Sequence, residues 1–358
     1  MAYTTIDNPE LFFQTQLFSG NAGTNAITLD GSEDMQPDWV WLKKRNGAAN
    51  NHLVNSVAGA GRYLYSNLAN AEGGDGADGG GNDLLASFNS DGFTLDAGAD
   101  SNASGATGVA WCWKAGTSFS NDASATSVGT LDSTGSINTT HGFSIISYTG
   151  NATSGATVAH GLGAVPGMIM IKNRSAGSTD WNLFHKSLTG TTSLFPDLIN
   201  AADTNSKYFN DTNPTSSVFS LGNYNDANGN SNNIIAYCFA EKQGYSKFGS
   251  YTGNGNADGT FVYTGFRPAW IMVKRTDSSG NFQIFDNKRS DFNLADDVLR
   301  ANLNNDECTS CVKMDILSNG FKLKNTDTDG NGSGATYVYM AFAEQPFVNS
   351  SGVPCNAR

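Results

Sequence analysis

Pro37-Asp38-Trp39-Val40-Trp41-Leu42-Lys43, Pro166-Gly167-Met168-Ile169-Met170-Ile171-Lys172 and Pro268-Ala269-Trp270-Ile271-Met272-Val273-Lys274 are three versions of one phrase: a proline, one small or polar residue, four large apolar residues, and a lysine. Apolar runs this short, bounded by turn residues, read as strands rather than helices. Upstream of each stands an aromatic-led turn: Phe18-Ser19-Gly20-Asn21, Tyr148-Thr149-Gly150-Asn151 and Tyr251-Thr252-Gly253-Asn254. The aromatic precedes the proline by 19, 18 and 17 residues. Downstream the order continues through Gly92-Phe93-Thr94-Leu95, Val218-Phe219-Ser220-Leu221 and Gly320-Phe321-Lys322-Leu323. It closes with Val109-Ala110-Trp111-Cys112-Trp113, Ile235-Ala236-Tyr237-Cys238-Phe239 and Tyr337-Val338-Tyr339-Met340-Ala341-Phe342. Four landmarks in one order, three times over, are the signature of an internal repeat.

The expected fold is therefore all-β: three tandem, diverged β-sandwich domains, jelly-roll-like, with short helical turns. The boundaries fall at residues 1–116, 142–243 and 244–347, with a C-terminal tail over 348–358. The first two prolines are 129 residues apart and the last two 102. The excess coincides with Thr117 to His141, rich in Ser, Thr, Asn and Gly, which reads as a linker over 117–141 that leaves the first domain apart from the other two. Alternation along Phe143 to Tyr148 is imperfect, as it is where both faces of a sheet are partly covered. Asn8 before Pro9 predicts a short capped helix at the start. Asn293 to Arg300, with apolar residues three to four apart, predicts a second short helix or turn. Phe93, Phe219 and Phe321 share one slot and are expected in separate domain cores. Cys112 and Cys238 fall where the third copy has Ala341, a slot that is small and apolar.

Composition limits function. The chain of 358 residues has 41 Gly, 15% charged residues and only 4 His, the profile of short strands joined by turns. An aromatic share of 11% provides the burial that a disordered chain lacks. A formal charge of −12 opposes nucleic-acid phosphates and anionic lipid, so neither partner is expected. No apolar stretch approaches the ~18 residues of a spanning helix, and Met1 to Asp7 has no secretory pattern. Synthesis in the cytoplasm is the expectation. Five cysteines, an odd number, argue against a closed disulfide framework, so reduced thiols are expected. Cys308-Thr309-Ser310-Cys311 has the spacing of a zinc or redox motif but no second ligand pair nearby.

No catalytic set stands out. His52, His141, His160 and His185 are scattered over turns and strands. No nucleophile elbow is present, and the Gly79-Gly80-Gly81 run is flanked by Asp and Asn rather than by a strand and a helix. Glycan cleavage would need two carboxyls roughly 5–10 Å apart, which one sequence does not identify. The loop before each closing strand is rich in oxygen side chains: Asp96, Asp100 and Asn102; Asn225, Asp226, Asn228 and Asn230; Asp327, Asp329 and Asn331. Of these, Asp327, Asp329 and Asn331 are the calcium candidates, although the bidentate Glu of a calcium loop is missing and turn chemistry explains the same residues. No cofactor is expected, and the chain is expected not to be an enzyme.

Tyr3-Thr4-Thr5-Ile6-Asp7-Asn8-Pro9-Glu10, Phe13-Gln14, the strand from Pro37 to Lys43, Ser90-Asp91-Gly92-Phe93-Thr94-Leu95 and Val109 to Gly116 resemble an uncharacterised domain repeated in virion proteins of marine tailed bacteriophages. The turn His160-Gly161-Leu162-Gly163 is similar to a phage tail-fibre repeat. The resemblance covers about 340 residues and implies a place in a virus particle, exposed on it, rather than a mechanism. The implied function is a non-enzymatic structural protein, a tail fibre or appendage taking part in host attachment. The alternatives are a capsid decoration or head-fibre protein and, from the enzyme class, a polysaccharide depolymerase. Implied partners are other virion proteins, a host surface glycan or protein, and further copies of the chain, with a trimer as the expected assembly.

Overall fold

The computed structural model describes residues 3–74 and 84–355; the Gly79–Gly81 run lies outside them. The chain is built of antiparallel β-sheets with very little helix. Three large sheets share one central order. In the first, the closing strand Thr107–Trp113 lies between Phe13–Ser19 and the proline strand Trp39–Lys44, which pairs with His52–Asn55. In the second, Asn233–Ala240 lies between Phe143–Thr149 and Pro166–Asn173, followed by Asn182–His185. In the third, Thr336–Pro346 lies between Ser246–Thr252 and Phe266–Arg275, followed by Phe282–Asp286. A small sheet accompanies each: Asn25–Ile27 with Gly92–Leu95 and Leu85–Asn89, Ala156–Ala159 with Val218–Leu221, and Phe261–Tyr263 with Gly320–Leu323 and Met314–Leu317.

The apolar runs are continuous because each large sheet is covered on both faces. Side chains alternate across a strand, and the closing strands divide accordingly. Trp111 and Trp113, Tyr237 and Phe239, and Met340 and Phe342 all enter one core shared by the three sheets. The residues between them face outward into three separate cores: Ala110 and Cys112, Ala236 and Cys238, and Tyr339 and Ala341. Proline strands divide the same way, with Trp39, Trp41, Met168, Met170, Trp270 and Met272 pointing to the shared core. Phe93, Phe219 and Phe321 lie buried in the three outer cores, beneath the small sheets.

Trp113 stands where the sheets meet. Its ring lies 4.6 Å from Trp39 and 4.9 Å from Phe13 within the first sheet, 6.5 Å from Phe239 of the second, and 5.6 Å from both Trp270 and Phe342 of the third. Edge-on and tilted packing of this kind suits the quadrupoles of aromatic rings.

Two sequence expectations are corrected. Thr117 to His141 is not a loose linker: Thr117–Asn121 and Ser133–Asn138 are strands that extend the second sheet beside Phe143–Thr149. Between them Asp122 caps the helical turn Ala123–Thr126, accepting from Ser124 and Ala125 N–H. The polar composition reflects an edge hairpin with one face toward solvent. Asn293 to Arg300 forms no helix either. Ala295 bridges to Met314, Val298 bridges to Cys308, and Leu299–Arg300 joins the third sheet. At the start of the chain Pro9–Leu11 forms a 3-10 turn, with Asn8 accepting from Glu10 N–H.

A core shared by three sheets ties their stabilities together. Trp113→Ala is expected to cost ~3–5 kcal/mol and to lower one common unfolding transition. Calorimetry that separates a surviving two-sheet transition from the lost first sheet would contradict this coupling.

Candidate functional site

The lysine that ends each proline strand does not reach solvent. Lys43, Lys172 and Lys274 are buried, and their Nζ atoms donate to the carbonyls of Ala49, Thr179 and Gly280 on the loop that follows. Burial lowers each ammonium to about 8, against the pull of nearby carboxylates. The peptide N–H groups of these same three residues cross to a neighbouring sheet. Thr179 N–H donates to Ala69 O, Gly280 N–H to Ile199 O and Ala49 N–H to Asn304 O, each at 2.8 to 3.1 Å. A second bond returns across each seam, from Glu72 N–H to Arg174 O, Ala202 N–H to Thr276 O and Glu307 N–H to Arg45 O. The first sheet thus holds the second, the second the third, and the third the first. The ring is closed.

A deeper set of polar contacts follows the same circuit. Asn55 Nδ2 donates to Tyr237 Oη at 3.0 Å, His185 Nε2 meets Tyr339 O at 3.1 Å, and Trp111 Nε1 donates to Asp286 Oδ2 at 2.9 Å. Ion pairs reinforce two seams. Arg174 chelates Glu72 at 2.7 and 2.8 Å, and Arg45 pairs with Glu307 at 2.8 Å. The second pair continues inward: Arg289, wholly buried, binds Glu307 at 2.9 Å and Asp286 at 2.5 Å. At the seam between the second and third sheets the matching positions carry Ala202 and Thr276, and no ion pair joins them.

The oxygen-rich loops before the closing strands are locked by one asparagine apiece. Asn102, Asn228 and Asn331 are fully buried. Their Oδ1 atoms accept from Asn21, Asn151 and Asn254 N–H. Each Nδ2 bridges two carbonyls: Gly23 and Asp96, Thr153 and Gly222, and Asn256 and Asn325. Among the calcium candidates, Asn331 oxygen is taken by Asn254 N–H, Asp327 accepts from Asp329 N–H, and Asp329 Oδ2 accepts from Asn281 and Gln283 amides at 2.7 and 2.9 Å. Among the described residues no group of three or more His, Cys, Asp or Glu is arranged to hold a metal ion.

The histidines are distributed inside the fold. His141 stacks on Phe12 at 4.5 Å, and His52 packs against Tyr63 and Tyr65. Leu162 N–H donates to His160 Nδ1, and Ser187 N–H donates to His185 Nδ1. Burial lowers His52 and His141 to about 3 and His160 and His185 to about 4. Burial also raises the Cys112 and Cys238 thiols out of the range where thiolates form. The expectation of reduced thiols is corrected at one place: Cys308 and Cys311 are joined in a disulfide, because the turn through Thr309 and Ser310 brings their sulfurs together.

Sequence reasoning missed the seam residues. Their signal was present in the register, since Arg45 and Arg174 each stand two residues past the lysine of the proline strand. What the sequence did not contain was the identity of their partners, Glu307 and Glu72, 262 and 102 residues away along the chain. The surface above the first seam holds an open cleft of about 450 Å³ lined by Tyr63, Tyr65, Asn70, Glu72 and Ser178. Tyr65 and the Asn70 amide line its open side, chemistry suited to the face and hydroxyls of a sugar, while Tyr63 is buried and the Glu72 carboxylate is held by Arg174.

The family described as Domain of unknown function (DUF7483) matches residues 8–346. No curated protein and no solved structure matches the chain.

Two predictions concern the polar groups. Arg289→Ala strands the buried Asp286 carboxylate and is expected to cost ~3–5 kcal/mol, whereas Lys186→Ala, removing a solvent-exposed partner of Glu241, should cost at most ~1 kcal/mol. Urea unfolding of the two variants measures the contrast. The four histidines have folded values depressed below their unfolded ~6.5, so they contribute stability above about pH 6.5 that is lost as pH falls toward 4 and 3. Replacing His52 and His141 with Phe and Gln should flatten that acid limb in thermal scans.

Proposed function

We propose, for a chain that belongs to the DUF7483 family and resembles a domain of phage virion proteins, that it is a non-enzymatic structural component of a virus particle. It is an exposed tail fibre or appendage that takes part in host attachment. The observation that carries the reading is the use to which the chain puts its ionisable groups: the lysines, histidines and arginines described above clamp strands and seams together inside the fold. Buried pairing of this kind serves rigidity and specificity of shape. We read each large sheet with its small companion as a β-sandwich, jelly-roll-like in outline, and the three as diverged copies of one ancestral unit. Capsid decoration is the second reading, favoured by the same rigidity.

The cleft at Tyr63 and Tyr65 is the surface we assign to a host glycan, and other copies of the chain, three in the assembly, are the partners along the particle. Antibody against the chain should label tail appendages of intact particles by electron microscopy, and soluble protein should bind host cells and reduce infection. Label over the capsid, with no binding to cells, would favour decoration. Shortened products after incubation with host polysaccharide would replace both readings with a depolymerase.

A further inference from the structure

One polar slot is occupied differently in the second sheet. Asn51, Trp181 and Phe282 each donate their backbone N–H to the side-chain oxygen of Asn67, Asp197 and Asn302 in turn, at 2.9 to 3.2 Å. In the first and third sheets that asparagine also gives its Nδ2 to a second asparagine, from Asn67 to Asn50 at 2.8 Å and from Asn302 to Asn281 at 2.9 Å. In the third the chain goes one step further, from Asn281 Nδ2 to Asp329 Oδ2 at 2.7 Å. The residues at these positions in the second sheet are Asp197, Asp180 and Asp226. Two amides have become carboxyls, so nothing in the line carries a fixed proton to donate. Asp197 and Asp226 are buried, and the Oδ2 atom of each has no hydrogen-bond partner.

The groups facing this line are few. Lys172 is the buried cation closest in charge to all three carboxyls, but its Nζ is committed to Thr179 O. Tyr224 faces Asp226, while Tyr208 bonds Asp203 and lies with Tyr224 beneath the Lys207 ammonium. From the third sheet, Lys274 Nζ reaches Ile199 O at 3.0 Å. One buried cation among two buried carboxyls and the half-buried Asp180 leaves the line short of positive charge. Desolvation, followed by the charge of Asp180, raises Asp197 to about 7 and Asp226 to about 6.

We propose that Asp180, Asp197 and Asp226 form a proton-binding site that controls the seam between the second and third sheets. A proton on Asp197 restores the donor that Asn67 and Asn302 supply in the other two sheets. Asp197 begins the segment that makes this seam, since Ile199 O accepts from Gly280 N–H and Ala202 N–H donates to Thr276 O. This is also the seam where Ala202 and Thr276 stand in place of the Arg–Glu ion pairs found at the other two. When the proton leaves for water, repulsion falls on the joint that lacks an Arg–Glu pair.

The sign of the effect follows from linkage. A carboxyl whose folded value is raised stabilises the fold below its unfolded value, and that stability is lost as pH rises through the folded one. The loss runs from about pH 4 to about 7, opposite to the histidine contribution, so the site is isolated by difference. Thermal midpoints of the full chain and of Asp197→Asn and Asp180→Asn/Asp197→Asn should diverge as pH rises from 5 to 8, the variants gaining on the parent. Parallel profiles would overturn the proposal. Hydrogen exchange supplies the local readout. Protection factors of the Gly280 and Ala202 amides should drop about tenfold or more over that range, while those of Thr179, Glu72, Ala49 and Glu307 hold, and the double variant should abolish the drop. Equal loss at all six amides would show global destabilisation without control of one seam. Calcium raising the parent's midpoint at pH 8, but not the double variant's, would make the site one for a cation and overturn the assignment to a proton.

Discussion

Everything in this molecule rests on the burial of one aromatic cluster by three sheets at once. Trp39, Trp113, Phe239, Trp270 and Phe342 lie within ring contact of one another across all three. No single sheet could cover them. A sheet facing this core and a small sheet on its other side must be apolar on both surfaces, and this explains the proline strands, the outer cores and the small residues of the closing strands together. Cys112, Cys238 and Ala341 are held to small size because they lie on the outward face, under the small sheets.

The perimeter of that core is where polar chemistry is concentrated. Backbone groups of the loops at the seams need partners once the sheets press together. They find them in each other, with a buried lysine fixing the carbonyl of the residue whose N–H makes the crossing. Burying an ammonium is unfavourable in isolation. It is tolerated here because each lysine donates to a backbone carbonyl in a loop whose position determines where the next sheet docks. The same logic places Arg289 between Asp286 and Glu307, with two further hydrogens on the carbonyls of Ile284 and Asp297.

The strands and their threefold order were legible in the sequence because they depend on local pattern: prolines at the start, apolar runs, and glycine and asparagine at the turns. Asn8 and Pro9 announced their turn for the same reason. Closure of the ring was not legible. Thr117 to His141 has the composition of a linker, yet an edge hairpin exposes one face and needs few large apolar residues, so composition alone does not separate the two. Asn293 to Arg300 carries helical spacing, but pairing with Met314 and Cys308 overrides that local preference. The pair Asp180 and Asp197 was hidden for a different reason. Its meaning lies in contrast with Asn50, Asn67, Asn281 and Asn302, and those positions align only once the hydrogen bonds are known.

Closure of the ring also has a consequence during synthesis. The seam between the third and first sheets joins Asn304 and Glu307 to Ala49 and Arg45, contacts of long sequence separation that form late. The inner face of the first sheet, with Trp39, Trp41, Trp111 and Trp113, is covered in part by Phe143, Tyr237 and Phe239 of the second sheet, and its cover is complete only when the strand ending near Phe342 and Pro346 has left the ribosome. A growing chain therefore carries an incompletely covered tryptophan face until more than two hundred further residues have been made. That interval, more than any property of the finished ring, is when the protein is open to aggregation and most in need of a chaperone.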